Sequence, residues 1–316
     1  VLGLGDDIDV AVLELGTNRP GEIARLADIA RPDVGVVTLV AAAHTEGLGD
    51  LDAVAREKSA LLMALHPSGA AVVDGDDGTL RQWADRAPAE RVISFGRDEG
   101  VTVRLESWSV EADLRTRCTY EIHGRAEPLE LRLRLIGEAA AINAAAAVAV
   151  VVARDADVAQ AAEALEAVTP TPGRMRLVQG AGGVTLLDDS YNANPRSTAL
   201  ALDTLVELAR VKGGRALAVL GDMLELGDRT EEEHEAVGRH AARAGVALLV
   251  GCGTHAGLAA RSGAAEGMRA ITAQSVDDGI VALRQELGAR DVLLVKGSRS
   301  MRMERIVDAL RAEEAS

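Results

Sequence analysis

The sequence predicts an α/β protein with two mostly parallel sheets, the first with an antiparallel extension and the second doubly wound like a Rossmann fold. Apolar, β-branched runs alternate with helical-period stretches along the whole chain, which is typical of parallel α/β folds. Between 101 and 135 the apolar residues instead recur at every second position, as in antiparallel strands. The chain has 316 residues, a length that suits two domains.

The first half of the chain alternates predicted strands with predicted helices. The strands are Asp9–Leu15, Val34–Val40, Ala70–Val73 and Val92–Phe95, and the helices are Arg19–Ala30 and Asp50–Leu65. A period-two segment then follows, marked by Leu129, Leu131, Leu133 and Leu135, with a polar turn near 123–128. This segment is the expected antiparallel extension.

A domain boundary is expected where the alanine-rich helical region Ala139–Val168 ends. Two prolines and a glycine follow within 169–174, and such residues interrupt regular structure. We therefore expect an incomplete central ATPase-type domain at 1–170 and a C-terminal domain at 171–316. The predicted strands of the second domain are Val184–Leu187, Ala216–Leu220, Ala247–Val250 and Val292–Val295, and a last helix starts near Ser300.

Composition excludes several classes of protein. Hydrophobic residues make up 48% of the chain, enough for a large core. A net charge of −15 argues against nucleic acids and anionic membranes as partners. The longest apolar run, Ala144–Ala153, is short of the roughly 20 residues that a membrane span needs. Because Cys118 and Cys252 are too few for a disulfide framework, we expect a cytoplasmic protein. The sequence begins with a valine almost directly before a predicted strand, so we expect it to be a piece of a longer chain.

Lysine is scarce, and one lysine has an unusual position. Lys58, Lys212 and Lys296 are the only lysines beside many arginines. Counting by threes and fours from Leu51 puts Lys58 on the apolar face of its predicted helix. It is either a lysine whose charged end reaches water, or a partly buried amine of lowered pKa that acts as a base or nucleophile or takes up carbon dioxide as a carbamate.

Two further polar residues follow predicted strands of the first domain. Glu14 lies at the end of the first strand, and His44 lies just past the end of the second. Ligands of open α/β sheets bind beyond the carboxyl ends of strands, and a carboxylate with an imidazole suits a divalent metal. Taken singly, each residue is more often a hydrogen-bonding group of a loop.

Two polar clusters follow strands of the second domain. Asp188–Pro195 contains two acids, a tyrosine and two asparagines; it is either a capped turn or a site for a ribose and base. Lys296, Ser298, Arg299 and Ser300 gather at the start of the final helix, where free N–H groups bind anions. Capping by Ser298 or Ser300 is the structural alternative.

In their order along the chain, these motifs resemble the Mur ligases. The resemblance to the central domain of that family rests on Glu14–Asn18 with 21–23, Ala41–His44 with 46–47, and the helix around Lys58. The resemblance to its C-terminal domain rests on Gly173-Arg174, Asp188–Pro195, Gly221–Gly227 and Lys296–Ser300 with Met303-Glu304. The last three are similar in particular to the branch that attaches D-alanyl-D-alanine.

The resemblance implies an amide-forming reaction in peptidoglycan precursor synthesis. ATP would phosphorylate the carboxylate of a UDP-N-acetylmuramoyl-tripeptide, and the amine of D-alanyl-D-alanine would attack the acyl phosphate. Glu14 would hold one magnesium ion, and His44 with a carbamylated Lys58 would hold a second ion beside the γ-phosphate. Arg174 would reach the phosphates from the C-terminal domain. A monomer is expected.

The remaining residue roles also come from the resemblance. Nucleotide binding is expected from Asn143, Arg174, Asp189, Tyr191 and Asn192, and substrate binding from Asn18, Asn194, Lys296, Ser298 and Arg299.

Two departures from the family pattern leave alternatives open. The family's N-terminal domain and phosphate loop are not in this sequence, so we expect activity only from the complete protein. The helix start Gly-x-His-Asn-x-x-Asn occurs here with Ala139 and Ala140 in place of His and the first Asn, while Asn143 remains. The alternatives are another Mur-type ligase such as a folylpolyglutamate synthase, which the Asp188–Pro195 and Lys296–Ser300 motifs disfavour, and a degenerate scaffold without catalysis.

Overall fold

The computed structural model describes residue 5, residues 8–40 and residues 50–312. The α-helices of this part are α1 (Glu22–Ala30), α2 (Leu51–Met63), α3 (Gly78–Ala84), α4 (Glu138–Ala153), α5 (Val158–Ala167), α6 (Pro195–Lys212), α7 (Thr230–Ala244), α8 (Ala256–Ala265), α9 (Val276–Glu286) and α10 (Glu304–Leu310). No helix within the described residues is both long and apolar enough to cross a membrane.

The strands form two six-stranded sheets. They are β1 (Val34–Val37), β2 (Ala70–Asp74), β3 (Arg91–Gly96), β4 (Val103–Val110), β5 (Thr116–Ile122), β6 (Leu129–Leu133), β7 (Arg176–Gln179), β8 (Thr185–Asp189), β9 (Ala216–Gly221), β10 (Leu248–Cys252), β11 (Arg269–Ala273) and β12 (Val292–Lys296). The predicted α/β class with two mostly parallel sheets is confirmed.

The first sheet follows the order of the chain, β1-β2-β3-β4-β5-β6. Strands β1 to β4 pair in parallel. The short connections from β4 to β5 and from β5 to β6 suit antiparallel hairpins. Burial alternates along β5 and β6, as the period-two pattern predicted.

The second sheet has the order β11-β10-β9-β12-β8-β7, with only β7 antiparallel to its neighbour. Strand β12 returns between β8 and β9, so the carboxyl ends of these three strands lie side by side. In the register, Lys296 is the partner of Asp189 on one side and of Leu220 on the other. This doubly wound arrangement is the one in which ligands bind beyond the strand ends.

Packing divides the chain into two compact units. The first consists of Val1–Glu106, Tyr120–Leu129 and Ile142–Ala162, and the second of Ser107–Thr119, Glu130–Ala141 and Glu163–Ser316. In the first unit an apolar core joins β1 and β2 to α2 and α3. In the second unit two apolar clusters pack around β8, β9, β10 and β12.

Some predicted elements were wrong. Asp9–Leu15 is not a strand; Val10, Val12 and Leu13 are exposed, and Val12 is 94% accessible. A strand needs a hydrogen-bonded neighbour, and this segment pairs with none of the described strands. The alanine-rich region is helical as predicted, but it is divided into α4 and α5. The last helix begins at Glu304 rather than near Ser300, because Arg299–Met301 form a 3₁₀ turn. Strands β7 and β11 were not predicted.

Candidate functional site

Lys296 is buried at the end of β12, where it joins two polar segments. Its ammonium forms an ion pair with the carboxylate of Asp189 at the end of β8 and donates a hydrogen bond to the carbonyl of Asn192 at 3.0 Å. The side chain is only 3% accessible. The sequence predicted that Lys296 contributes to an anion pocket; in the structure its ammonium bonds Asp189 and the Asn192 carbonyl and holds the loop after β8 against β12.

The loop after β8 also holds the segment that carries Arg174. The Asp188 carboxylate accepts hydrogen bonds from the Gly173 amide at 2.9 Å and from the Ser190 hydroxyl at 2.6 Å. The Tyr191 amide donates to the Gly173 carbonyl at 3.0 Å. Gly173 has a φ of +75°, and a Cβ there would meet Tyr191 atoms at 3.2 Å. A glycine is therefore needed for this close approach.

Two guanidinium groups lie near the ring of Tyr191. The Cζ of Arg174 is 4.2 Å from the ring centroid, and that of Arg299 is 5.7 Å away. All three side chains are exposed. The Arg174 guanidinium can therefore meet an incoming anion, and the Arg299 guanidinium forms an ion pair with Glu304 at 3.4 Å. Cation–π contacts orient the two cations. The structure thus brings three predicted site residues together at one edge of the second sheet.

Ser298 has a structural partner that the sequence did not predict. Its hydroxyl accepts a hydrogen bond from the Leu224 amide at 2.9 Å, and its own amide donates to the Asp222 carbonyl at 3.0 Å. Its side chain makes no capping hydrogen bond to the following turn, so the alternative of capping by Ser298 or Ser300 does not hold at Ser298. The bond instead ties the end of β12 to the loop after β9.

A buried acid and a buried histidine organise that same loop. One carboxylate oxygen of Asp222 accepts from the amides of His255 and Ala256, at 2.9 and 2.7 Å, at the start of α8. His234 Nε2 accepts from the Met223 amide at 2.9 Å, so its Nδ1 carries the proton that is donated to the Thr230 carbonyl at 2.6 Å. Burial lowers the pKa of His234, which favours this neutral form.

The predicted asparagines differ in their roles. Asn194 is the N-cap of α6 and forms a capping box with Ser197, so the capped-turn alternative holds at this residue. The Asn192 side chain accepts from the Ala193 amide at 2.8 Å. Asn18 and Asn143 are exposed, and their side chains are open to solvent.

Lys58 in the first unit is the partly buried amine that the sequence predicted. Its ammonium donates a hydrogen bond to the carbonyl of Leu39, just beyond β1, at 2.9 Å. Burial lowers the pKa of this amine, because desolvation disfavours the charged form. Position 58 on the mostly apolar face of α2 accounts for both properties.

The predicted partners of Lys58 are only partly described. Glu14 is exposed, in the segment that was expected to be a strand. His44 lies outside the described residues. Among the residues that the structure describes, no group of three or more His, Cys, Asp or Glu side chains could hold a metal ion. The meeting of positions 14, 44 and 58 stays a prediction.

Sequence reasoning missed the roles of Asp188, Asp222, His234 and Glu57. All four are buried polar residues that accept hydrogen bonds from backbone amides, and three of them have partners far away in the chain. The sequence did indicate functional positions for Asp188 and Asp222, because each follows a predicted strand. It gave less indication for His234, whose partner Met223 is 11 positions away, and for Glu57, whose partners are 34 to 40 positions away.

Comparisons with known proteins agree with this arrangement. The family model described as "Mur ligase middle domain" matches residues 3–151, and the one described as "Mur ligase, glutamate ligase domain" matches residues 173–299. An Escherichia coli K12 protein named UDP-N-acetylmuramoyl-tripeptide--D-alanyl-D-alanine ligase is 33% identical over 98% of this chain and 67% of its own length. The chain belongs to the Mur ligase family.

Other relatives of this Mur ligase chain carry the same name. The Mycobacterium tuberculosis H37Rv protein is 36% identical over 97% of the chain, which spans 63% of that relative's length. Among solved structures, MurF from Acinetobacter baumannii superposes with a TM-score of 0.85 at 28% identity, covering 97% of this chain and 66% of that one. MurF from Thermotoga maritima in complex with ADP gives a TM-score of 0.81 at 25% identity, covering 93% and 65%.

Proposed function

We propose that this Mur ligase chain provides catalytic residues for an ATP-dependent amide ligase that adds D-alanyl-D-alanine to a UDP-N-acetylmuramoyl-tripeptide through an acyl phosphate. The observation that carries the proposal is the 36% identity to the mycobacterial relatives of that name over 97% of the chain. The motifs that resemble the D-alanyl-D-alanine branch also lie together at one edge of the second sheet. The proposal concerns the whole protein, since the chain spans 63% of those relatives.

Lys58 is the proposed site of carbamylation. The reaction joins the free amine to carbon dioxide and releases one proton, so it requires the neutral form of lysine. Burial lowers the pKa of Lys58 and thereby increases the fraction of that form at neutral pH. Arginine could not replace it, because a guanidinium stays protonated.

Two magnesium ions are the proposed metals, held by Glu14 and by His44 with the carbamate of Lys58. A carbamate is an anionic oxygen donor, which together with a carboxylate suits Mg²⁺. When bound, magnesium would supply positive charge to the phosphates during phosphoryl transfer. Within the chain, α2 and the Leu39 carbonyl hold the Lys58 amine at a fixed place beyond β1.

Arg174 and Asp189 are the proposed contacts to ATP, with Tyr191, Asn192 and Asn143 beside them. The stacked guanidinium of Arg174 is exposed and can donate to phosphate oxygens. Asp189 already receives the Lys296 ammonium and, at 3.2 Å, the Met175 amide. A carboxylate has about four acceptor positions, so ribose hydroxyls can still donate to it.

Arg299 is the proposed cation for the carboxylate of an incoming substrate, since it is the exposed member of the Lys296–Ser300 turn with a charged end. Lys296 and Ser298 would act by holding this turn in place. Asn18 and Asn194 complete the proposed substrate contacts.

We also propose domains at 1–170 and 171–316 and a monomeric protein. We propose the cytoplasm as the compartment, since the reaction consumes ATP.

The test is an assay of phosphate release by the full-length gene product with ATP, magnesium, the UDP-linked tripeptide and D-alanyl-D-alanine. We expect release that depends on both acceptor and dipeptide. Lys58→Ala should nearly abolish it, and added bicarbonate should partly restore it. Lys212→Ala is the matched control, because it removes another lysine at the end of α6, and it should leave the rate unchanged.

Three outcomes would count against parts of the proposal. Undiminished activity of Lys58→Ala would refute the carbamate role. Turnover with L-glutamate in place of D-alanyl-D-alanine would favour a folylpolyglutamate-type ligase. Absence of nucleotide binding by the full-length protein would favour the scaffold alternative.

A further inference from the structure

Glu57 is a buried acid whose partners all come from a distant segment. It lies in α2 and is 7% accessible. Its carboxylate accepts hydrogen bonds from the Gly21 amide at 2.7 Å, the Ile23 amide at 2.8 Å and the Thr17 hydroxyl at 3.2 Å. A buried carboxylate is costly unless it is well partnered. The two backbone amides satisfy this one, while the single hydroxyl proton of Thr17 is shared with the Arg19 carbonyl at 3.0 Å and the Glu22 carboxylate at 3.4 Å.

These bonds replace the cap that α1 lacks. The N-cap of α1 is Gly21, which has no side chain to accept from the first amides of the helix. Free amides and the positive end of the helix dipole favour an acid at this place. Glu57 supplies that acid from another helix, so the start of α1 is fixed to α2.

A second acid holds the same turn from within. The Glu22 carboxylate accepts from the Asn18 amide at 2.7 Å and the Arg19 amide at 2.9 Å. These backbone hydrogen bonds lower the pKa of Glu22. Its partners, which include the Thr17 hydroxyl at 3.4 Å, are three to five positions away, so Glu22 shapes the turn without connecting it to α2. Glu57 provides that connection.

Glu57 and Lys58 are neighbours on α2 with different targets. Successive residues of a helix point about 100° apart, and here one side chain reaches the turn before α1 while the other reaches Leu39 beyond β1. One turn of α2 therefore holds both segments. The turn at 17–21 directly follows the segment that contains Glu14.

We propose that Glu57 is a positioning residue that fixes the turn at 17–21, and with it Glu14 and Asn18, relative to Lys58. This inference rests on the proposed function for its catalytic consequence. The hydrogen bonds that Glu57 accepts from Thr17, Gly21 and Ile23, here called the clamp, are a property of this chain alone. Loss of the clamp should loosen the turn and misplace Glu14, which is the proposed magnesium ligand.

The test compares Glu57→Gln and Glu57→Ala in the full-length gene product. Amide hydrogen exchange of Gly21 and Ile23, measured without nucleotide or metal, should rise roughly tenfold or more in Glu57→Ala. Glu57→Gln keeps one carbonyl acceptor, so its exchange should be intermediate. The magnesium concentration for half-maximal phosphate release should increase in the same order.

Two controls separate the clamp from general destabilisation. Glu22→Gln should speed exchange at positions 18 and 19 and shift the magnesium dependence less than Glu57→Ala. Glu163→Gln, at an exposed position of α5, should change neither exchange at 21–23 nor activity.

The outcomes also separate this inference from the proposed function. Unchanged exchange at Gly21 and Ile23 in Glu57→Ala would overturn the clamp, whatever the activity. Faster exchange with an unchanged magnesium dependence and rate would overturn the positioning role. Faster exchange in a protein whose wild type has no ligase activity would support the clamp and refute the proposed function.

Discussion

Replacing Lys296 by methionine should expose the cost of an unpaired buried acid. The substitution keeps the length of the side chain but removes the ammonium from a site that is 3% accessible. The Asp189 side chain, 14% accessible, would keep only the Met175 amide as a described donor. Breaking a buried ion pair from one side typically costs about 3–5 kcal/mol, so we expect a loss in this range for unfolding of the second unit.

The double variant Lys296→Met/Asp189→Asn tests the reason for that loss. It removes the charge that the single variant leaves behind, so it should recover about 2 kcal/mol or more of the loss. Trp83 packs against the core of the first unit and Trp108 against a core cluster of the second. In a Trp83→Phe background, tryptophan fluorescence during urea unfolding therefore reports on the second unit.

Two results would refute this reasoning. A loss below about 1 kcal/mol in Lys296→Met would mean that Asp189 finds solvent or another donor, so that the pair is not buried as described. A double variant no more stable than Lys296→Met would mean that the loss comes from packing rather than from the abandoned carboxylate.

Three further predictions concern the second unit. Asp291→Asn should cost about 1–3 kcal/mol of stability by weakening the hydrogen bonds to Arg215. Burial opposes the shift, but these bonds lower the pKa of Asp291, so the wild type should lose the same stabilisation as the pH falls below about 4 and the variant should not. Urea unfolding at pH 3 to 7 measures both. Burial lowers the pKa of His234, so between pH 7.5 and 5.5 the unfolded state takes up a proton that the native state does not, and the free energy of unfolding should fall by at most about 1.4 kcal/mol per pH unit. Thermal unfolding of His234→Gln should lack this pH-dependent loss. Tyr191→Leu should raise KM for ATP more than it lowers kcat, because Arg174 loses its stacking partner, as steady-state kinetics would measure; an unchanged KM would contradict that role.

Much of the fold was predictable because it depends on local pattern. The runs Val292–Val295 and Ala216–Leu220 are apolar throughout, as expected for central parallel strands buried on both faces, and both are strands. Asp9–Leu15 has an equally suitable pattern but is irregular. The apolar pattern shows that a segment suits a strand, whereas the strand forms only when a neighbouring strand is present to pair with its backbone.

The site was predictable to the extent that single residues determine it. Lys58 was expected on the apolar face of a helix, and its burial and lowered pKa follow from that position. Lys296 was expected in an anion-binding cluster, and the sequence did not indicate that the register of β12 against β8 puts it opposite Asp189. That pairing joins residues 107 positions apart, and no local signal in the sequence contains it.

The three lysines of this chain differ in access, and this has a practical consequence. Lys296 is buried, while Lys58 and Lys212 are both half-buried. The Lys58 ammonium is also held by a hydrogen bond to the Leu39 carbonyl. Amine-directed labels followed by mass spectrometry should therefore modify Lys212 readily while Lys296 reacts only after the second unit opens. Because this chain has few competing amines, the extent of acetylation at Lys58 in the first unit and at Lys296 in the second, measured in one digest, reports the opening of each unit separately.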